Sequence, residues 1–168
     1  MSQRSLRFGL LGCGKIAERH ANLLGNNEVT GAKLTAVCDI DGPCARTFAS
    51  SYGVDAYSSI DEMMKSGKVD IVSVLTPSGT HAANVIELAT YGRPIVVEKP
   101  MALTLVDADR MIEACDLNGV KLFVSWRRRE NGTFQDSRRT RCSCRGRWQH
   151  VRLSGPAPCC FGPISVRR

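Results

Sequence analysis

Gly12-Cys13-Gly14-Lys15-Ile16-Ala17 sets two glycines and an alanine at a spacing that can bring a phosphate against bare backbone. Gly12 permits a tight turn, and Gly14 carries no side chain to hold a pyrophosphate away. Ala17 lets a following helix pack close to a preceding strand. The start of that helix offers N–H groups without intrahelical partners and a partial positive charge. Small residues at such spacing also serve plain helix packing. Asp39, 22 residues beyond Ala17 at the end of the next β-branched run, turns the pattern into a dinucleotide site. A carboxylate there accepts both hydroxyls of an adenosine ribose and repels a 2′-phosphate. No Arg or Lys follows until Arg46, which favours NAD over NADP.

Two further strings lie where ligands collect. Residues 70–75 form an apolar run that ends in Thr76-Pro77-Ser78-Gly79-Thr80-His81. In open α/β sheets ligands sit off the carboxyl ends of the strands, so Thr76, Pro77 and His81 are candidate contacts. A histidine at a helix start is often only structural; its place beside Thr76-Pro77 makes it a candidate. A second apolar run, 93–97, closes on Glu98-Lys99-Pro100. Adjacent strand residues point to opposite faces and seldom pair with each other, so these two charges need another use.

The elements that must position these residues follow from periodicity. Short β-branched runs at 7–11, 33–38, 71–75, 95–98 and 121–124, with a shorter one at 56–57, predict strands. Longer amphipathic stretches at 15–24, 43–52, 60–66, 82–91 and 105–118 predict helices between them. Ser59 and Glu62 have the spacing of a capping box, and Gly53, Gly67, Gly92 and Gly119 follow helices as C-terminal caps. The near-continuous apolar runs predict strands covered on both faces. The expectation is an α/β domain with a doubly wound parallel sheet of six strands over residues 1–124.

Composition changes sharply after Val124. Residues 1–124 carry 12 Lys and Arg against 14 Asp and Glu; residues 125–168 carry 11 Arg, no Lys, and only Glu130 and Asp136 as acids. The chain's net charge of +7 therefore belongs to its last 44 residues, and the domain itself gives no reason to expect nucleic acid. Arg, Ser, Cys, Gly, Pro and Trp supply 29 of those 44 residues, too little apolar surface to offset ordering entropy. Out-of-frame translation of GC-rich coding DNA enriches these residues and excludes Lys. A basic nucleic-acid tail, built on Arg127-Arg128-Arg129 and Arg138-Arg139-x-Arg141, is a second reading. A zinc site from Cys142, Cys144, His150, Cys159 and Cys160 is a third, although C-x-C and adjacent cysteines fit standard sites poorly. With no secretory leader or membrane span evident, a cytoplasmic protein whose Cys13, Cys38, Cys44 and Cys115 stay thiols is expected.

The glycine turn, the Thr76-Pro77 loop with His81, and Glu98-Lys99-Pro100 together resemble the Gfo/Idh/MocA family of glucose–fructose oxidoreductases and inositol dehydrogenases. The likeness covers roughly the first 124 residues, and Glu98-Lys99-Pro100 is its discriminating motif. It implies hydride transfer from a sugar carbinol to NAD. Within the family the chain is similar to nucleotide-sugar 3-dehydrogenases acting on UDP-N-acetylglucosaminuronic acid in surface-polysaccharide synthesis; an inositol-type dehydrogenase is the alternative. Carried over by position, the resemblance implies that Glu98 lies near the nicotinamide ribose and Lys99 near the reacting carbinol. Gly12, Gly14, Lys15, Ile16, Ala17 and Asp39 hold the rest of the cofactor, and Thr76, Pro77 and His81 flank cofactor and substrate. Family members form homo-oligomers through a second α+β domain that also holds substrate. Residues 125–168 do not match that domain, so a truncated, catalytically inactive dinucleotide-binding fragment is a further expectation.

Overall fold

The computed structural model describes residues 4–26 and 28–125. The three readings of the tail and its Arg, Cys and His150 candidates lie outside the described residues.

The strands are β1 (Leu6–Leu11), β2 (Ala32–Cys38), β3 (Asp55–Tyr57), β4 (Ile71–Val74), β5 (Ile95–Val97) and β6 (Leu122–Val124). They form one parallel sheet in the order β3-β2-β1-β4-β5-β6. The order in which strands are added reverses between β1 and β4, the switch point where doubly wound sheets bind ligands. The helices are α1 (Lys15–Gly25), α2 (Gly42–Tyr52), α3 (Ile60–Lys65), α4 (His81–Ala89) and α5 (Leu105–Leu117).

Alternate strand residues feed two cores. Phe8, Leu10 and Val37 pack with Ala17, Ala21 and Leu24 of α1 and Ala45 and Ala49 of α2. Leu11, Val72, Val74, Ile95 and Val97 pack with Met63 of α3, Val85 and Leu88 of α4, and Met111 and Cys115 of α5. Each fully buried Leu, Ile or Phe contributes about 1.5–3 kcal/mol relative to an exposed one. Cys13, Cys38, Cys44 and Cys115 are free thiols. Burial pushes Cys13 and Cys38 up to about 12 and Cys115 up to about 11, as for small hydrophobes rather than reactive groups.

Several ends differ from expectation. β4 and β5 each stop one residue early, at Val74 and Val97, so Glu98 lies past its strand. A 3₁₀ turn at Ser78–Thr80 leads into α4, which therefore starts at His81, and the helix tightens to end at Ala89. Tyr91 and Gly92 donate to Leu88 and Ala89 three residues back. Only half of the capping box forms. Ser59 Oγ accepts the Glu62 N–H at 3.2 Å, while the Glu62 carboxylate takes the Ser58 hydroxyl at 3.3 Å. Among the described residues, no helix is long and apolar enough to cross a membrane, and no group of three His, Cys, Asp or Glu could hold a metal ion.

Candidate functional site

Strand register decides what meets at the sheet's carboxyl edge. Leu11 pairs with Cys38 and Val74, Val74 with Val97, and Val97 with Val124, so five strands end level. The ladder continues one residue further. Gly12 N–H donates to Cys38, Leu75 to Leu11, Glu98 to Val74 and Ser125 to Val97, each at 2.8–3.0 Å. Gly12, Asp39, Leu75, Glu98 and Ser125 thus form one row, with Thr76 and Lys99 immediately beyond it.

The glycine turn lies at the centre of that row. Gly12 has φ +99, and a Cβ there would lie 3.0 Å from the Leu75 carbonyl carbon and the Thr76 nitrogen. The turn therefore lies against the β4 loop as only glycine allows. Gly14 is the N-cap of α1 and faces open space, with nothing within 4 Å of a Cβ. Asp41, Ser59 and Thr104 cap α2, α3 and α5 through their side chains, but α1 has no side-chain cap. The Ala17 N–H turns back to the Gly14 carbonyl at 2.9 Å, and no side chain caps the N–H groups ahead of it. An open cradle over an uncapped helix start fits the diphosphate of a dinucleotide. Lys15 and Ile16 are exposed on this first turn, and Ala17 is fully buried beneath it.

Asp39 joins the turn directly. Its Oδ2 accepts the Cys13 N–H at 2.8 Å and its Oδ1 accepts the Asp41 N–H at 3.0 Å. Ile40 follows it, 98 % exposed, an apolar side chain that the spacing arguments do not single out.

The β4 loop is tied at both ends. Thr76 Oγ1 accepts from Asn84 Nδ2 at 2.8 Å and lies 3.1 Å from Thr80 Oγ1, while Pro77 is exposed. His81 is 1 % exposed, with Nε2 2.8 Å from the Thr76 carbonyl oxygen and Nδ1 2.9 Å from that of Pro100. Its ring thus lies between the Thr76 loop and the Glu98-Lys99-Pro100 loop with both nitrogens facing carbonyl oxygens, and an imidazole carrying one N–H donates to one of the two.

Glu98 has partners that local sequence does not disclose. Oε1 accepts the Ser125 hydroxyl at 2.9 Å and lies 3.2 Å from His20 Nε2, while Oε2 accepts the Lys99 N–H at 2.9 Å. Burial works against the Glu98 charge, but these donors outweigh it and hold the carboxyl below its ordinary range. Burial also pushes His20 down, against the opposing pull of Glu98, so a neutral ring that donates from Nε2 accounts for the contact. Lys99 lends its amide to Glu98, and its side chain is exposed at the mouth of the row.

Comparison with known proteins shows the family of the segment that carries this edge. Residues 6–126 match the model of the Gfo/Idh/MocA group, described as an oxidoreductase family with an NAD-binding Rossmann fold. Inositol 2-dehydrogenase of Burkholderia ambifaria is 35 % identical over 120 residues, covering 70 % of this chain and 35 % of that protein. D-apiose dehydrogenase of Paraburkholderia graminis is 32 % identical over 122 residues, covering 72 % and 32 %. The WlbA dehydrogenase of Bordetella pertussis, solved with NADH and UDP-GlcNAcA, is 38 % identical with a TM-score of 0.67, covering 72 % and 37 %. The chain thus spans about a third of the length of the curated relatives it matches.

Proposed function

The chain belongs to the Gfo/Idh/MocA oxidoreductase family, and from that premise we propose that residues 1–124 are the cofactor-holding half of a sugar or nucleotide-sugar dehydrogenase. NAD is the cofactor of the family's Rossmann domain. The observation that carries the reading is the level row at the carboxyl edge, where the bare Gly12–Gly14 turn, Asp39 and Glu98 meet. In the proposed complex the α1 N–H groups and the Gly14 backbone take the diphosphate. Asp39 accepts the adenosine ribose hydroxyls, Ile40 covers the adenine, and Glu98 lies by the nicotinamide ribose. Bound NAD supplies a hydride acceptor. Lys99, at the mouth of the row, polarises the carbinol oxygen and manages its proton. Thr76 and Pro77 line the gap between cofactor and substrate, and His81 holds their loop in place.

For the substrate, the identity of 38 % to a protein solved with UDP-GlcNAcA supports a nucleotide sugar, oxidised at a ring carbinol. A comparable likeness to inositol and apiose dehydrogenases supports a free polyol or sugar as the second reading.

The deciding experiment is calorimetric titration of the 168-residue chain with NAD and with NADP. Saturable NAD binding that Asp39→Ala removes is the expected result; a folded chain that binds neither nucleotide sinks the proposal. For Lys99, the Ala replacement in a full-length relative is expected to spare NAD binding and abolish turnover. Unchanged turnover would remove Lys99 from the chemistry.

A further inference from the structure

Glu98 lies one residue past β5, and three segments grip its carboxylate: Ser125 from beyond β6, His20 from α1, and the Lys99 amide. His20 is 5 % exposed and the Glu98 side chain 14 %. Among the described residues, no Lys or Arg side chain lies within ion-pair distance of Glu98. A hydroxyl, an amide and a neutral imidazole stabilise a carboxylate without cancelling its charge. Three neutral donors around one acid therefore leave a full negative charge, fixed in direction and only slightly screened by water. Such an arrangement serves a field better than it serves stability, since an apolar residue would fill the same place without the desolvation cost.

That charge and the glycine turn stand two strands apart on the same edge, about 10 Å at a strand spacing of about 4.8 Å. His20 is the sixth residue of α1, about 7.5 Å along the helix from Lys15 at 1.5 Å per residue. Glu98 itself stands in the same row as Gly12. The oxidised and reduced forms of a nicotinamide cofactor differ by one positive charge on the ring. We infer that His20 and Ser125 are positioning residues that hold Glu98 as an anion paired with no Lys or Arg among the described residues, and that this anion biases the site toward the oxidised, cationic nicotinamide over the reduced, neutral one. The inference rests on the reading of this edge as the NAD site. It adds a determinant of redox-state preference built from residues that neither the glycine turn nor Lys99 supplies.

The test is the ratio of NAD⁺ to NADH affinity, measured by calorimetry on the 168-residue chain. Glu98→Gln keeps the shape and removes the charge, and is expected to weaken NAD⁺ about tenfold relative to NADH. Ser125→Ala and His20→Ala move the ratio in the same direction by about two- to fivefold. His20→Gln, which can place an N–H donor near the position of Nε2, is expected to bring it back toward the wild-type value. A merely structural role would weaken both forms equally. Should His20→Ala fail to fold by circular dichroism, Glu98→Gln and Ser125→Ala carry the measurement. A Glu98→Gln ratio within about twofold of wild type, with both nucleotides still bound, overturns the inference. A folded wild-type chain that binds neither nucleotide overturns the cofactor reading, and this inference falls with it.

Discussion

The Cys13 amide donates to Asp39 Oδ2 at 2.8 Å, so the turn after β1 and the acid after β2 form one preorganised unit. Asp39 Oδ1 is in turn held by the Asp41 N–H at 3.0 Å, which orients the carboxylate before any ligand arrives. Each oxygen accepts one backbone N–H and keeps capacity for a hydroxyl. The acid therefore shapes the turn and, in the proposed complex, also receives a ribose.

Asp39→Ala should cost both. Loss of charge-assisted hydrogen bonds of about 1.5–3 kcal/mol predicts a fall in NAD affinity of roughly ten- to hundredfold. NADP should lose less, because the repulsion of its 2′-phosphate disappears along with the bonds. Parallel titrations with both nucleotides check this, and equal losses for the two would mean that Asp39 acts only on the turn.

Gly12 and Gly14 separate folding from binding. Alanine at Gly12 must adopt φ +99 with its Cβ 3.0 Å from the Leu75 and Thr76 backbone, so Gly12→Ala should destabilise by about 2–3 kcal/mol. Gly14 has φ −78 and open space around its missing Cβ, so Gly14→Ala should leave stability within about 0.5 kcal/mol. Its new methyl would instead stand where a phosphate approaches, lowering NAD affinity roughly tenfold or more. Urea unfolding and calorimetry on the two variants read the contrast, and a Gly14→Ala chain that binds normally would remove the phosphate from that turn.

The six strands are legible in the sequence because a sheet buried on both faces produces near-continuous apolar runs. The glycine turn and Asp39 are legible because their partnership has a fixed spacing. His20 is not legible. It lies in the middle of an amphipathic helix, and its partner Glu98 is 78 residues away, so no local pattern marks it. Ser125 hides for the same reason, its meeting with Glu98 depending on the register of β5 against β6. His81 shows the opposite case. Its position beside Thr76-Pro77 points to the site, yet whether the ring faces a ligand or two carbonyls is decided by how the Pro100 loop folds back.

That bridge makes His81 a measurable strut. His81→Ala removes the ring that lies between the Thr76 and Pro100 carbonyl oxygens, leaves a fully buried cavity, and should cost about 2–4 kcal/mol of stability. The loss should be local before it is global. Hydrogen exchange should quicken at Thr76–Thr80 and around Pro100 while the β1–β2 ladder stays protected. Uniform deprotection across the sheet would mean that His81 supports the whole fold and not the two loops.

At the opposite edge of the sheet, Arg7 and Asp70 supply an acid-sensitive clamp. Arg7 Nη2 and Nε donate to the Asp70 carboxylate at 2.8 and 3.0 Å, and the Arg7 N–H donates to it at 3.0 Å, tying the start of β1 to the entry of β4. The Arg7 side-chain bonds hold the Asp70 carboxyl down at about 2, against an ordinary value of 3.8. A folded-state pKa below the unfolded one means that the contribution is complete above the unfolded pKa and disappears as pH falls through the folded one. At 1.36 kcal/mol per pKa unit, reduced for solvent screening at a side chain 18 % exposed, the clamp contributes on the order of 1–2 kcal/mol near neutrality. Asp70→Asn should therefore lower stability by about that amount at pH 7 and by progressively less between about pH 4 and pH 2. Urea unfolding of the two proteins across that range measures it directly. Parallel stability curves, with a constant gap from pH 7 to pH 2, would show that the ionised carboxylate is not what holds the two strands together.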